Sequence, residues 1–271
     1  MAESEGSAKV NLAWDDESVL PAVLSRDTDF VFRRMTEETL KATDVSICRR
    51  ILDVGCGRGI DAVSLARQGG ILFGCEPSRV MLGKAKEGVK SFGGAVWLVS
   101  SLAENLPFAS HSFHRVVCKG ALDHFLDPDQ AVSEMCRVAS PEGRVVISLA
   151  NFESLSCFLA RNLDQLAQWI RGRGISPPHI WKTPRDHTFR FDYPTAVALA
   201  GRHLRVESIR GVSLLWGFPR WPDVLGRIPR STALILLRSL DRIAHWRPEW
   251  SDVLIVAGRP RHSFRAGERS S

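Results

Sequence analysis

Apolar and polar positions alternate along this chain in two rhythms, and the exchange between them predicts its architecture. Short runs rich in β-branched residues, "RILDVG" (50–55), "ILFGCE" (71–76), "AVWLVS" (95–100), "RVVCKG" (115–120) and "GRVVISLA" (143–150), read as strands. Between them a helical period runs through "DAVSLARQG", "SRVMLGKAKEGVKSF" and "DPDQAVSEMCRVA". Ahead of the first strand, residues 27–45 read as a helix opening at an Asp or Thr cap. Apolar strands alternating with helices imply a parallel sheet covered on both faces, and right-handed crossovers make it a doubly wound α/β sheet.

After residue 150 the rhythm loosens. "FESLSCFLARNLDQLAQWIRGR" sets Leu159, Leu163, Leu166 and Ile170 at one-face helical spacing, and a Pro-containing loop leads to the helical "YPTAVALAGRH". "LRVESIRGVSLL" and "DVLIVAGRP" bring the strands to seven. The organisation expected is an N-terminal helical segment (1–45), one domain (46–258) with inserts at about 151–190 and 216–250, and a basic, disordered tail (259–271). The second insert holds Trp216, Trp221, Trp246, Trp250 and the helix-like "STALILLRSLDRIAHW".

Composition narrows the class. Apolar residues make up 44% of the 271, enough for a sizeable core. The net charge is +6 with a pI near 9.2, and nine arginines fall between Arg202 and Arg247. Such a balance suits nucleic acid, an anionic membrane or an acidic substrate, but more often a solubilising surface. The polar N-terminus shows no apolar h-region, and "ALILL" (233–237) and "VLIVA" (253–257) are far shorter than a membrane span. Cys48, Cys56, Cys75, Cys118, Cys136 and Cys157 never approach a C-x-x-C spacing, so a cytoplasmic protein without disulfides or structural zinc is expected.

The chemistry concentrates at "ILDVGCGRG". Glycines at 55, 57 and 59 follow a strand and open a helix, which lets the backbone approach a ligand and offers unpaired N–H groups to an anion. A tight turn with no ligand is the other reading of the glycines. Glu76, at the end of the second strand and 17 residues past Gly59, would lie beside that turn, where a carboxylate can accept both hydroxyls of a ribose. Asp53 interrupts an apolar strand, a setting that suits either a cationic ligand group or stapling of the loop. Ile60 occupies the last place of a G-x-G-x-x-G frame, which speaks against a nicotinamide dinucleotide.

These residues resemble the class I S-adenosylmethionine-dependent methyltransferases, in particular their small-molecule branch. "ILDVGCGRG" is similar to the family's first motif, and "GCEPSRVMLGKAK" to the stretch with the ribose-binding acid. "SLAENLPFASHSFHRVVCKGALDHFLDPDQAVSEMCRVASPEGRVVIS" is similar to the family through its fifth strand, so the likeness is close over 48–150 and looser beyond. The resemblance implies a Rossmann-like, mostly parallel seven-stranded sheet, with C-terminal helical insertions, that binds S-adenosyl-L-methionine. It sets Gly55, Cys56 and Gly57 under the methionyl part and Asp53 near its ammonium. Glu76 takes the ribose hydroxyls, Pro77 lies against the adenine, Leu102 and Ala103 form the adenine-edge loop, and Lys119 and Gly120 face the sulfonium. The chain departs from the pattern at Leu102, where the family commonly has an acid, so that Glu104 or a main-chain carbonyl must substitute. Phe113-His114 replaces Phe-Asp, and Lys119 brings a cation toward a sulfonium unless it reaches into solvent.

Methyl transfer needs a base only where the acceptor is a hydroxyl, a phenol or an acidic carbon, and His124 in "LDHF" is the leading candidate. Packing of its loop is the other role open to it. Asp186 and His187 are second candidates; His179 with that pair is too irregularly spaced for a metal site, and none is expected. The acceptor is expected to be a small or lipid-like metabolite rather than nucleic acid, methylated on O, N or C. In 231–246, Ala233, Leu236, Leu237, Leu240, Ile243 and Ala244 form one apolar face opposite Arg238, Arg242 and His245, which suits docking on the domain, docking on a second subunit, a lid, or peripheral membrane contact. A non-catalytic subunit that keeps the fold is the competing reading, and a nicotinamide-dependent oxidoreductase a weaker third; oligomeric state stays open.

Overall fold

The computed structural model describes residues 12–16, 24–45, 50–93, 96–172 and 188–261. Helix α1 (Arg26–Thr43) precedes β1 (Arg50–Val54), α2 (Ile60–Ala66), β2 (Ile71–Cys75), α3 (Arg79–Phe92) and β3 (Val96–Val99). Then come β4 (Phe113–Lys119), a single 3-10 turn at Leu122–His124, α4 (Pro128–Val138) and β5 (Ala139–Ala150). The last part runs α5 (Leu155–Arg171), α6 (Tyr193–His203), β6 (Leu204–Val212), α7 (Trp221–Arg227), α8 (Arg230–Trp246) and β7 (Val253–Pro260). Every strand and helix expected from the pattern is present within a few residues of its expected bounds. The largest shift is β5, which begins at Ala139 rather than 143.

The seven strands lie in the order β3-β2-β1-β4-β5-β7-β6. Pairs from β3 to β5 are parallel, and β7 runs antiparallel to both its neighbours. The order reverses between β1 and β4, so a crevice opens beyond their carboxyl ends, the place where doubly wound sheets bind ligands. Register fixes what faces that crevice: Asp53 lies opposite Gly74 of β2 and Val117 of β4, and Lys119 opposite Ser148 of β5.

Alternation along the strands divides the core between two faces. Leu52, Val116 and Cys118 pack toward Val132 and Met135 of α4, whereas Ile51 and Val117 pack toward Ala62 and Leu65 of α2. Side-chain caps set helix starts at the crevice end: Ser78 Oγ accepts from Met81 N at the head of α3, and the Asp127 carboxylate from Gln130 N at the head of α4.

The second insert is explained by inward packing. Ala233, Leu237 and Ala244 of α8 are buried, the first two against Phe30 and Leu225. Ile243, expected on that face, is exposed, and Asp241 takes the buried position instead. Its Oδ2 accepts from Arg34 Nε at 2.9 Å and its Oδ1 from Ser213 N at 3.0 Å, so α8 holds α1 against the sheet. Ala233, Leu237 and Ala244 thus dock on the domain, whereas Ile235, Ile243 and Trp246 of the same helix are exposed. In α5 the Leu163, Leu166 and Ile170 face is exposed, together with Trp169 at 84%. Among the described residues no helix is long and apolar enough to cross a membrane.

Because Asp241 joins three elements, Asp241→Ala should lower the unfolding free energy by about 2 kcal/mol, less than a fully buried pair because Arg34 is partly hydrated. Urea unfolding of the two proteins at neutral pH would measure it.

Candidate active site

A cavity of about 980 Å³ opens at the crevice. Its floor is the turn after β1, held from β2. The Cys75 carbonyl accepts from both Gly55 N (2.9 Å) and Cys56 N (3.0 Å). Gly57 N donates to Glu76 Oε2 at 3.1 Å, and Ser78 N to Glu76 Oε1 at 2.9 Å. Gly55 has φ +70°, and a Cβ there would lie 2.6 Å from the Cβ of Ala121, so the floor admits no side chain at that position.

All ten residues read as cofactor contacts, Asp53, Gly55, Cys56, Gly57, Glu76, Pro77, Leu102, Ala103, Lys119 and Gly120, line this one cavity, and so does His124. Burial raises the pKa of Glu76, against the pull of the Ser78 and Gly57 amides and the His124 charge. Asp53 is 3% exposed and its Oδ2 has no hydrogen-bond partner. Burial, assisted by Asp61 and Glu76 and opposed by Lys119, pushes its pKa up to about 8. Stapling of the loop is therefore not the work of that oxygen: the Cys75 carbonyl and Glu76 do it. The buried thiols are no nucleophiles, since desolvation pushes Cys75 to about 12 and Cys56 far upward.

Lys119 does not reach into solvent. Its Nζ lies 2.7 Å from Asp61 Oδ2 and donates to Thr36 Oγ1, also at 2.7 Å. The ammonium is thus tied to α1 and α2 and its charge is balanced. Glu104 is engaged as well, its Oε1 accepting from Leu126 N (2.8 Å) and Asp127 N (3.2 Å), which fixes the loop after β4. His124 sits on that loop with its ring centroid 5.6 Å from that of Trp14. Asp186, His187 and His179 lie outside the described residues. Among the described residues no cluster of His, Cys, Asp and Glu could hold a metal.

Sequence reasoning missed the strap at 12–16. Ser78 Oγ donates to the Trp14 carbonyl (2.6 Å) and Arg79 N to that of Leu12 (2.9 Å). Asp16 takes both Nε and an Nη of Arg58 at 2.6 Å, and Asp15 the Nζ of Lys84 at 2.5 Å. The acidic pair after Trp14 was the available signal, but nothing in its spacing ties it to an arginine 42 positions away. Thr36 and Asp61 were likewise unmarked, although an acid in the first turn of α2 is favoured by the helix dipole.

The chain is similar to known methyltransferases. Residues 52–147 match a family described as a methyltransferase domain. The chain is 40% identical to the methyltransferase GfsG of Streptomyces halstedii over 239 residues, covering 84% of this chain and 80% of that one. It is 30% identical to a demethylmenaquinone methyltransferase of Thermobifida fusca over 183 residues, 66% of this chain and 72% of that one. A Pyrococcus horikoshii protein of known structure superposes with a TM-score of 0.59 at 18% identity, over 92% of this chain and all of that one.

The buried Asp53 carboxyl has a pH signature. The native state holds a proton on Asp53 between the ordinary carboxyl pKa of 3.8 and about 8, where the unfolded chain has shed it. This group's contribution to stability therefore falls as pH rises through that window and stays lost above it. Asp53→Asn, neutral throughout, should gain in thermal stability over the parent from pH 5 to 8, then hold a constant lead. Parallel melting curves across that range would show a flat difference if Asp53 were ionised already at pH 5.

Proposed function

Since the chain belongs to the class I S-adenosylmethionine-dependent methyltransferases, we propose that its cavity seats the cofactor along the glycine turn and presents it to an apolar small-molecule acceptor. The observation that carries this reading is the meeting of Glu76, the bare turn and an unpartnered Asp53 oxygen in one cavity. A buried carboxylate with no cation bonded to it fits an ammonium, and an acid whose oxygens keep lone pairs beside two amide bonds fits a pair of hydroxyls. At Gly57 a Cβ would meet nothing nearer than Met81 Cε at 3.6 Å, so the bare Cα leaves room for a ligand.

When bound, S-adenosylmethionine supplies a methyl group on a sulfonium, already a good leaving group. The chain's own work is to orient two ligands, exclude water and remove a proton where the acceptor requires it. Asp53 holds the ammonium, Glu76 the ribose, and Pro77, Leu102 and Ala103 the adenine. With Glu104 engaged by the Leu126 and Asp127 amides, the adenine amino group falls to main-chain carbonyls. Lys119 and Gly120, which line the cavity at the end of β4, would lie on the sulfonium side of the bound cofactor. The cavity is near the upper size of small-molecule pockets, which leaves space for an acceptor beside the cofactor.

Trp14, Phe32, Ile60, Phe125 and Leu126 give that space an apolar wall. The wall suits a hydroxylated or quinol-like acceptor, in keeping with relatives named for demethylmenaquinone. His124 is the only histidine among the described residues that line the cavity, and we assign it the proton transfer.

Incubating the protein with methyl-labelled S-adenosylmethionine and fractionated apolar cell extract should place label in one apolar compound. His124→Asn should lower that turnover by about 100-fold while S-adenosylhomocysteine affinity is retained. Binding of S-adenosylhomocysteine without label in any fraction would favour a non-catalytic subunit.

A further inference from the structure

The cation at the end of β4 is the feature that the family reading leaves unexplained. Residues two apart on a strand share a face. Asp53 is registered opposite Val117, so Lys119 stands on the same side of the sheet, one step further toward the cavity mouth. An unpartnered carboxylate oxygen and an ammonium are thereby set side by side in one cavity wall. That pairing is complementary to a group carrying an ammonium and a carboxylate on the same carbon.

We infer that Lys119, oriented by Asp61 and Thr36, recognises the α-carboxylate of the cofactor's methionyl end, so that Asp53 and Lys119 together read the whole amino-acid group. This rests on the seating of the cofactor given above. An ammonium has three donors; Asp61 Oδ2 and Thr36 Oγ1, each at 2.7 Å, use two, and the third remains for a ligand in the cavity that Lys119 lines. Charges then alternate along the wall: Asp53, ligand ammonium, ligand carboxylate, Lys119, Asp61. Asp61 balances the lysine, so the cation does not repel a neighbouring sulfonium. The electrostatic influence of Lys119 on Asp53 agrees with their closeness.

The other cations of the cavity are less suited. Arg58 is held by both oxygens of Asp16 at 2.6 Å. Arg33 is half exposed and lies 3.9 Å from Asp29 on its own helix. Lys119 is thus a specificity residue for the amino-acid end, and Thr36 and Asp61 are positioning residues.

The test compares two ligands by calorimetry: S-adenosylhomocysteine, and its decarboxylated form, which keeps the amine and lacks only the carboxylate. The parent protein should prefer the first by about 10- to 100-fold, the range of a hydrogen bond to a charged group. In Lys119→Met the preference should collapse to within about threefold, with affinity for the decarboxylated ligand unchanged. Lys119→Arg should restore part of it. The double variant Lys119→Met/Asp61→Asn, which leaves no unpaired acid behind, should show the same collapse with a parental melting temperature. Equal weakening of both ligands in Lys119→Met, or a preference that survives there and disappears in Arg33→Met, overturns the inference. Failure of the parent protein to bind S-adenosylhomocysteine overturns it together with the cofactor seat, a result that the parent titration alone identifies.

Discussion

Gly57 donates its amide to the Glu76 carboxylate across 3.1 Å, and this bond joins the ends of β1 and β2 beside the point, between β1 and β4, where the strand order reverses. Parallel strands β1 and β2 end at the same level, so the chain leaving β1 must turn at once under whatever occupies the crevice. The turn holds its shape through amides taken by the Cys75 carbonyl and the Glu76 carboxylate. Helix α2 starts from it, bringing Asp61 to Lys119 and, through Arg58, the strap at 12–16 to the cavity wall.

The site is built against local stability. Asp53 and Glu76 are both buried with raised pKa, and Asp53 has an oxygen bonded to nothing in the protein. Carboxylates in such surroundings favour folding less than apolar residues would. Rigidity comes from elsewhere. Asp252 accepts from Ser156 Oγ and from Trp216 N, tying α5 and the turn before α7 to β7, while Asp241 ties α8 to α1. Asp241 and Asp252 have partners on both oxygens, whereas Asp53 Oδ2 has none.

Much of this was legible in the sequence because it depends on short-range pattern. The apolar runs at 50–54 and 71–75 and the glycine spacing are local, and the position of Glu76 beside the turn follows from parallel pairing alone. Long-range pairings were not legible. The strap over the cavity rests on Asp16–Arg58 and Asp15–Lys84, and α1 meets the site through Thr36 and Lys119, contacts between elements whose separation along the chain carries no periodic signal. Lys119 shows the difference: its type and strand-end position implied solvent, and only the fold reveals the acid and hydroxyl that hold it inside. In α8 the pattern marked the buried stripe but misplaced Ile243 and left Asp241 out of it, because burial of Asp241 follows from hydrogen bonding to α1 and the turn at Ser213 rather than from hydropathy.

Family membership defines the reaction, and the cavity of this chain has an apolar wall, a histidine on the loop after β4 and a lysine paired with Asp61. All of these matter only if the glycine turn and Glu76 converge on one adenosyl ligand. Calorimetric titration of S-adenosylhomocysteine into the parent protein and Glu76→Ala tests that most directly. The account predicts one site per chain in the parent and an affinity lower by about 10- to 100-fold in the variant; no binding heat in the parent, or equal affinities in the two, would contradict it.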